Sequence, residues 1–259
     1  MKKFALLAPL AACLAAPVMA EEEQVIDPAD VTKVYTQSAL MFSGNSEFQW
    51  QAQIAGGLEN GQQFALLSEA TFDNKDNDEN KFGFDYQTSR TQYFHVFNTG
   101  SSTLPKVGAS LDYVNTRTNS VKNDLLSIGA VAAINPAYTG GLLVFPRAGV
   151  MTGSMEVLDA GMNSKDDLTG YSLSLITAVY LGDGGSYLSV VPEWQDLSGD
   201  EIEMQNLSIK ASINVPLNSA RTWWLNTRYD FTKSDLEVNG TDLGGDWETQ
   251  AWLGVRHYF

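Results

Sequence analysis

Histidine chemistry in this chain would rest on two residues, His95 and His257. Hydrolytic sites need a nucleophile, a base and a group that orients the base, and the base is usually histidine. Neither histidine lies in a recognisable motif of this kind. Carboxylate pairs can also act as acid and base, but no pair stands apart from the many other acidic residues. The sequence therefore predicts a protein that is not an enzyme.

A second candidate for chemistry is the acidic run Asp76-Asn77-Asp78-Glu79-Asn80, which begins like a calcium-binding loop. Such a loop needs glycine at its sixth position for a sharp turn, and it needs a helix on each side. Lys81 occupies the sixth position here, and no helical pattern flanks the run. The chain also lacks a phosphate-binding glycine motif and a cluster of metal-ligating histidines. We expect no cofactor and no dedicated metal site.

The elements that must position any site begin after an N-terminal leader. Residues 1–20 combine two lysines, an apolar run and a small-residue exit at Ala20, which is typical of a secretory signal peptide. The only cysteine of the sequence, Cys13, lies in this leader. A lipoprotein interpretation stays open, because Leu10-Ala11-Ala12-Cys13 resembles a cleavage box whose cysteine becomes acylated. Cleavage at Ala20 would instead leave a mature chain without a disulfide framework.

Composition narrows the class of protein further. The formal net charge of −15 argues against nucleic acid as a partner. No segment after the leader offers the roughly 20 consecutive apolar residues that a membrane-spanning helix needs. The chain is 44% hydrophobic and 18% charged, and its apolar residues are interleaved with polar ones. This combination suits a β-barrel, whose strands alternate in polarity.

From Val34 onward, the sequence alternates with period two in segments of about ten residues, which predicts β-strands. In one segment Phe48 and Ile54 lie on an apolar face, while Gln49, Gln51 and Gln53 form an amide face. Our segmentation places strands near 34–42, 47–56, 62–72, 81–97, 106–116, 124–134, 141–152, 170–181, 187–194, 204–215, 222–233 and 247–259. We therefore predict an all-β fold, a transmembrane antiparallel barrel of about 12 strands, with 10–14 compatible. A secreted β-sandwich would alternate in the same way and stays open.

The connections between these segments differ on the two sides of the predicted barrel. One side has short turns, and the other has four long segments, 73–80, 153–169, 195–204 and 234–248. Those four contain 17 acidic residues against Lys75 and Lys165, which equals the whole formal charge. Short periplasmic turns and long external loops are usual in bacterial barrels. The acidic loops are either simply solvated, or they bind Ca²⁺ or Mg²⁺ shared with lipopolysaccharide phosphates.

The last segment carries a resemblance to a known class. It ends in Phe259 after alternating apolar positions at Ala251, Leu253 and Val255, and it resembles the C-terminal signal of Gram-negative outer-membrane β-barrel proteins. His257 departs from that pattern, where an apolar residue is more usual. The resemblance implies a location in the outer membrane and recognition of Phe259 by the assembly machinery. The predicted organisation is a signal peptide at 1–20, a periplasmic segment at 21–33 and the barrel at 34–259. Two runs with proline in mid-strand, Leu143–Gly149 and Val190–Trp194, also look like autotransporter-type barrels, or they mark bulges.

Charges in mid-strand indicate which face lies inside, because a Lys or Arg facing lipid at the bilayer midplane costs about 2–4 kcal/mol. The predicted pore-lining residues are Arg147, Arg228, Arg256, Lys210, Glu69, Asp112, Glu193 and Asp230. Segment 81–97 breaks the alternation, and either a bulge or an extension above the membrane would explain it.

The resemblance to porin-like barrels implies a passive channel for small polar solutes, lined by these charges. In the alternative, opposite charges pair to fill the interior, and the protein is a structural or surface-interaction barrel, such as a solitary autotransporter-like domain.

Overall fold

The computed structural model describes residues 25–73, 84–158 and 163–259. These residues form strands with short connections and a 3-10 turn at Pro136–Tyr138. The strands are β1 (Gln37–Ser43), β2 (Glu47–Gly57), β3 (Gln63–Asp73), β4 (Asp85–Asn98), β5 (Lys106–Arg117), β6 (Val121–Ala133), β7 (Leu143–Val157), β8 (Ser164–Tyr180), β9 (Tyr187–Ser198), β10 (Ile202–Pro216), β11 (Trp223–Val238), β12 (Thr241–Asp242) and β13 (Glu248–Tyr258). No helix among the described residues has the length and apolarity that a membrane crossing requires.

The sheet is closed, because every strand except the short β12 has two neighbours. Each strand from β1 to β11 pairs antiparallel with the next one in the chain. The last strand, β13, pairs with β11 on one side and with β1 on the other, where Gln37 lies opposite Tyr258. The two-residue β12 only extends the edge of β11. The result is a closed antiparallel barrel of 12 long strands, which confirms the predicted fold class and rules out a two-sheet sandwich.

The two faces of the sheet differ in the way that a membrane barrel requires. On β2, Gln51 is buried with 7% of its surface exposed, whereas Ile54 on the other face is 53% exposed. On β10, Asn214 is 4% exposed and Ile213 is 46% exposed. Amides are therefore inside and aliphatic side chains are outside, the reverse of a water-soluble protein. This arrangement places an apolar surface against lipid and polar groups in the interior.

Both termini of the described chain lie at one end of the barrel, which we call the inner end. The inner connections are residues 58–62, 99–105, 134–142, 181–186 and 217–222. At the opposite, outer end, much of what was predicted as loop is paired strand. Val157 lies opposite Ser164, and Ile202 lies opposite Val238, so three of the long segments are mainly hairpin extensions. The prediction was wrong because inward apolar residues alternate with the acidic ones and continue the sheet beyond the charged middle.

The irregular segment 81–97 contains a bulge. Thr71 pairs with Thr88 and Phe72 pairs with Tyr86, so the register of β3 and β4 shifts by one residue. The bulge keeps Arg90 inside while it turns Tyr86 and Phe84 to the lipid side, where Phe72 packs against Tyr86. By contrast, the register of β8 and β9 is the same before and after Pro192, so that proline does not mark a bulge.

Candidate functional site: a charged layer inside the barrel

The inward side chains form three layers along the barrel axis. Near the inner end lies an apolar group, the inner cluster, formed by Ala133, Leu143, Phe145, Ala178, Tyr187, Trp224 and Tyr258. Near the outer end lies a second group, the outer cluster, formed by Leu125, Met151, Met155, Val157, Leu168, Leu197, Ile202 and Val238. On β7 the inward order runs Phe145, Arg147, Met151, which places the charged side chains between the two apolar clusters.

One half of the charged layer joins strands on opposite sides of the lumen. Arg90 donates from Nε to both oxygens of Asp112 at 2.9 Å, and Gln92 Nε2 donates to Asp112 Oδ2 at 3.0 Å. Arg147 lies 3.6 Å from Asp112 and 3.7 Å from Glu193. Arg90 also lies 3.8 Å from Glu193. Since these residues stand on β4, β5, β7 and β9, their ion pairs bridge the interior.

The other half of the layer is an amide and arginine network on β2, β3, β11 and β13. Arg228 Nε lies 2.9 Å from an oxygen of Asp230, and its Nη1 donates to Gln49 Oε1 at 3.1 Å. The Arg228 guanidinium also lies 4.8 Å from the ring centre of Trp252. Gln51 links Arg256, which donates to it at 3.1 Å, to Glu69, which accepts from it at 3.2 Å. Glutamines thus relay hydrogen bonds between the charged residues.

The charged layer surrounds open space. A cavity of about 340 Å³ is lined by Arg90, Arg147, Lys210, Arg228, Arg256, Glu69 and Glu193, together with apolar side chains. A neighbouring cavity of about 260 Å³ lies closer to the inner end. Both cavities touch Pro28 and Val31, which precede the first strand. The interior of the barrel is therefore only partly filled by its own wall.

Residues 25–36 occupy the inner mouth of the barrel and contribute no strand to its wall. Ala29 is only 2% exposed and packs into the inner cluster. Asp27 fixes the segment, because it accepts from Tyr180 at 2.7 Å and from Lys33 at 2.5 Å. The ring of Tyr35 packs edge-on against Tyr258 at 5.7 Å. We call residues 25–36 the plug segment.

Two titratable groups of the plug segment have shifted pKa values. Burial alone would lower the pKa of the Lys33 ammonium, but the hydrogen bond and charge of Asp27 outweigh burial and raise it. Burial raises the pKa of the Tyr35 phenol and outweighs the lowering effects of the hydrogen bond from the Asp27 backbone N–H and of the Lys33 charge. Both groups therefore keep their protonated forms, and the Lys33 ammonium is the form that donates to Asp27.

All eight predicted pore-lining residues lie on the inward face, and the structure brings them into the same layer. Six of them line the larger cavity, whereas Asp112 and Asp230 lie behind their arginine partners. Their role in conduction stays a prediction. The predicted set lacked Arg90, because the bulge beside it obscured the alternation of its strand. It also lacked the plug segment, which carries no periodic pattern.

The two histidines lie outside the barrel near the inner end. His95 contacts Tyr93 at 2.9 Å and Gln62 at 2.8 Å through its two ring nitrogens. His257 packs between Trp223 and Phe259, with ring centres 4.4 and 4.6 Å away. Within the described ranges, no three His, Cys, Asp or Glu residues are grouped so that they could hold a metal ion. The run 76–80, the leader with Cys13 and residues 159–162 lie outside the described residues.

No protein-family model matches this chain, and no curated protein matches it either. Among solved structures it is similar to the NanC porin, with 10% identity, a TM-score of 0.54, and coverage of 86% of this chain and 100% of that one. It is also similar to the KdgM porin at 13% identity and a TM-score of 0.47, over 87% and 99% of the two chains. The β domain of the Bordetella autotransporter BrkA matches at 13% identity and 0.46, over 88% and 100%. Identities this low show the fold alone.

The closed sheet with its apolar exterior and the likeness to the NanC porin define the class. The chain has the closed antiparallel fold of Gram-negative outer-membrane β-barrels, and its apolar exterior fits a location in that membrane.

Proposed function

We propose that the protein is an outer-membrane channel for small polar solutes, which in this conformation is closed at the inner end by the plug segment. The observation that carries the proposal is the cavity of about 340 Å³ within a layer of charged side chains. Barrels of eight strands have filled interiors, and those of sixteen to eighteen leave aqueous channels. Twelve strands lie between these cases, so the charged cavity is the feature that favours a passage.

The plug segment supports this function because it can leave without breaking the wall. Its hydrogen bonds include those that Asp27 accepts from Tyr180 and Lys33, and one that the Gln53 side chain donates to the Tyr35 carbonyl at 2.8 Å. Only its last residue, Thr36, is held by the end of the chain, through the Phe259 amide. The strand pairs of the barrel do not include residues 25–36. Movement of this segment would open the cavity toward the periplasm, while the closed ladder stays intact.

Planar bilayers test the proposal. We expect rare or small conductance steps from the mature chain, and larger or more frequent steps when Ala29→Glu places a charge in the inner cluster. Ser102→Glu adds the same charge on an exposed inner turn and serves as the matched control. Heat-dependent migration in gels verifies that each barrel is folded. Folded barrels that never conduct, with or without Ala29→Glu, would rule out a channel.

A surface-interaction barrel is the second candidate, and one observation favours it. Strands β7, β8, β10 and β11 have 15 to 17 residues, more than the roughly 9–11 needed to cross a membrane. They therefore extend beyond the bilayer at the outer end. Replacement of residues 239–247 by a short Gly-Ser turn separates the candidates. Loss of cell-surface adhesion with unchanged conductance would favour the interaction role.

A further inference from the structure

The larger cavity has a mixed lining that a purely polar pore would not need. Apolar groups come from the wall, at Leu67, Phe94 and Ile176, and from the plug segment, at Ala29 and Val31. The smaller cavity of about 260 Å³ shares Leu67, Phe94 and Ile176 with it. Sites for small molecules commonly measure about 300–1,000 Å³ and combine apolar walls with a few oriented polar groups. The larger cavity has this size and this composition.

The charges that face the cavity are mainly positive. Five cationic residues line it, against two carboxylates, those of Glu69 and Glu193, an excess of three positive charges. Asp112 is not part of the lining, because Arg90 and Gln92 cover its carboxylate. Asp230 is likewise not part of the lining, and Arg228 binds it. The charges of the whole layer are nearly balanced, but those that face the cavity are mainly positive. A solute in the cavity would therefore meet a positive surface.

Two of these cations have hydrogen-bonding capacity that the described residues do not use. The side chain of Arg147 is 8% exposed, yet its nearest carboxylate oxygens lie at 3.6 and 3.7 Å, beyond hydrogen-bond distance. Neither Arg147 nor Lys210 donates a hydrogen bond to any residue in the described part of the chain. A buried guanidinium whose N–H groups make no direct hydrogen bond is unfavourable even beside two carboxylates, and a further carboxylate at hydrogen-bond distance matches its donor geometry.

We propose that this cavity binds a small amphipathic carboxylate, with its anionic group at Arg147 and Lys210 and its apolar body against Phe94, Ile176 and the plug segment. The charge excess selects the anionic group, and the apolar side chains of Phe94, Ile176 and the plug segment accommodate a hydrocarbon body. The inference rests on the proposed function, because such a molecule would be the solute that the channel carries.

Benzoate and its neutral analogue benzamide are suitable probes, and equilibrium dialysis against the folded barrel in neutral detergent measures their binding. Benzoate should bind saturably, and benzamide at least tenfold more weakly. The double variant Arg147→Gln/Lys210→Gln should weaken benzoate at least tenfold. Lys233→Gln, which removes a cation from the outer face beside Asp235, should leave binding unchanged. Equal binding of benzamide, or of the double variant, would overturn the proposal.

Two further measurements keep this test separate from the test of conduction. If the double variant does not fold, Lys210→Gln and Arg147→Lys are used singly, and only Lys210→Gln should weaken benzoate clearly. Saturable, charge-dependent binding to a barrel that never conducts would support the ligand site and reject the channel. Conductance steps from a barrel that binds no benzoate would reject the ligand site and leave the channel standing.

Discussion

Arg90 on β4 lies 3.8 Å from Glu193 on β9, although four strands separate them along the wall. The contact therefore crosses the interior rather than following the sheet. Asp112 and Arg147 complete the bridge from the two sides. This bridge is a charged connection across the interior of the barrel, and its integrity should govern stability.

Replacement of Asp112 by asparagine should destabilise the barrel by about 3 kcal/mol, because removal of one member of a buried pair leaves the other charge uncompensated. The uncompensated group would be Arg90, which makes its hydrogen bonds to this carboxylate. Urea unfolding in lipid vesicles measures the change. Asp124→Asn breaks an exposed pair with Arg117 on the outer face and should cost less than about 1 kcal/mol. Equal effects of the two substitutions would contradict the bridge.

The tether of the plug segment can be tested without reference to conduction. In a chain without its leader, Ala29→Cys introduces a single thiol inside the inner cluster, where it should react slowly with a maleimide. Tyr180→Phe removes the hydrogen bond to Asp27, worth about 1.4 kcal/mol or less, so labelling should accelerate by up to about tenfold. Tyr138→Phe, on an exposed inner turn, is the control. If labelling is fast in every variant, the plug segment does not occupy the inner mouth of the barrel.

Seating of the plug segment should also depend on pH, but only in the alkaline range. Lys33 and Tyr35 have raised pKa values relative to 10.5 and 10.0. Their contribution to seating is therefore complete below those values and is lost as pH rises through the raised folded values. A nitroxide at Ile26→Cys, which packs against the inner cluster, should stay immobile at neutral pH and become mobile above about pH 10.5. Release on acidification, with none on alkalinisation, would contradict this linkage.

The terminal residue provides a prediction about assembly. The Phe259 amide donates to the Thr36 carbonyl at 3.0 Å, while its ring packs on His257 outside the barrel. Phe259→Ala keeps the hydrogen bond, so refolding from urea into vesicles should be unchanged. In cells we expect several-fold less folded barrel, since the resemblance implies that the assembly machinery recognises the terminal aromatic ring. Equal amounts of folded barrel from the native chain and from Phe259→Ala in cells would show that the assembly machinery does not recognise the terminal ring.

We also predict that divalent cations bind at the outer end of the barrel. Glu203 lies opposite Glu237, and Glu237 lies opposite Asp242, an arrangement of like charges that is destabilising without a counter-ion. If Ca²⁺ or Mg²⁺ links these carboxylates to lipopolysaccharide phosphates, a chelator should speed protease cleavage within 239–247. The triple variant with Gln or Asn at these positions should be insensitive to the chelator. If the chelator does not change the cleavage rate of the native chain, divalent cations do not link these carboxylates to lipopolysaccharide.

The wall of the barrel could be predicted from sequence, because the alternation of polar and apolar residues within each strand indicates which side chains point inward. Gln51 and Ile54 show which face of β2 is polar and which is apolar. The same alternation of polar and apolar residues on the other strands placed Arg147 and Glu193 inside. The plug segment could not be predicted, because its contacts join distant parts of the chain. Asp27 and Tyr180 are 153 residues apart, and no local pattern reports such a contact. The outer hairpins were missed because acidic residues on their outer faces resemble loop composition.

The hydrogen bond between Phe259 and Thr36 ties the seam of the cylinder to the point where the chain turns inward. The residue before Thr36, Tyr35, rests on the ring of Tyr258, the last residue of β13. The end of β13 therefore anchors the C-terminal end of the plug segment, whereas residues 25–34 are held by contacts that do not belong to the seam. A molecule whose seam closed out of register would displace this anchor, and we expect its leading residues to be held less firmly in the mouth.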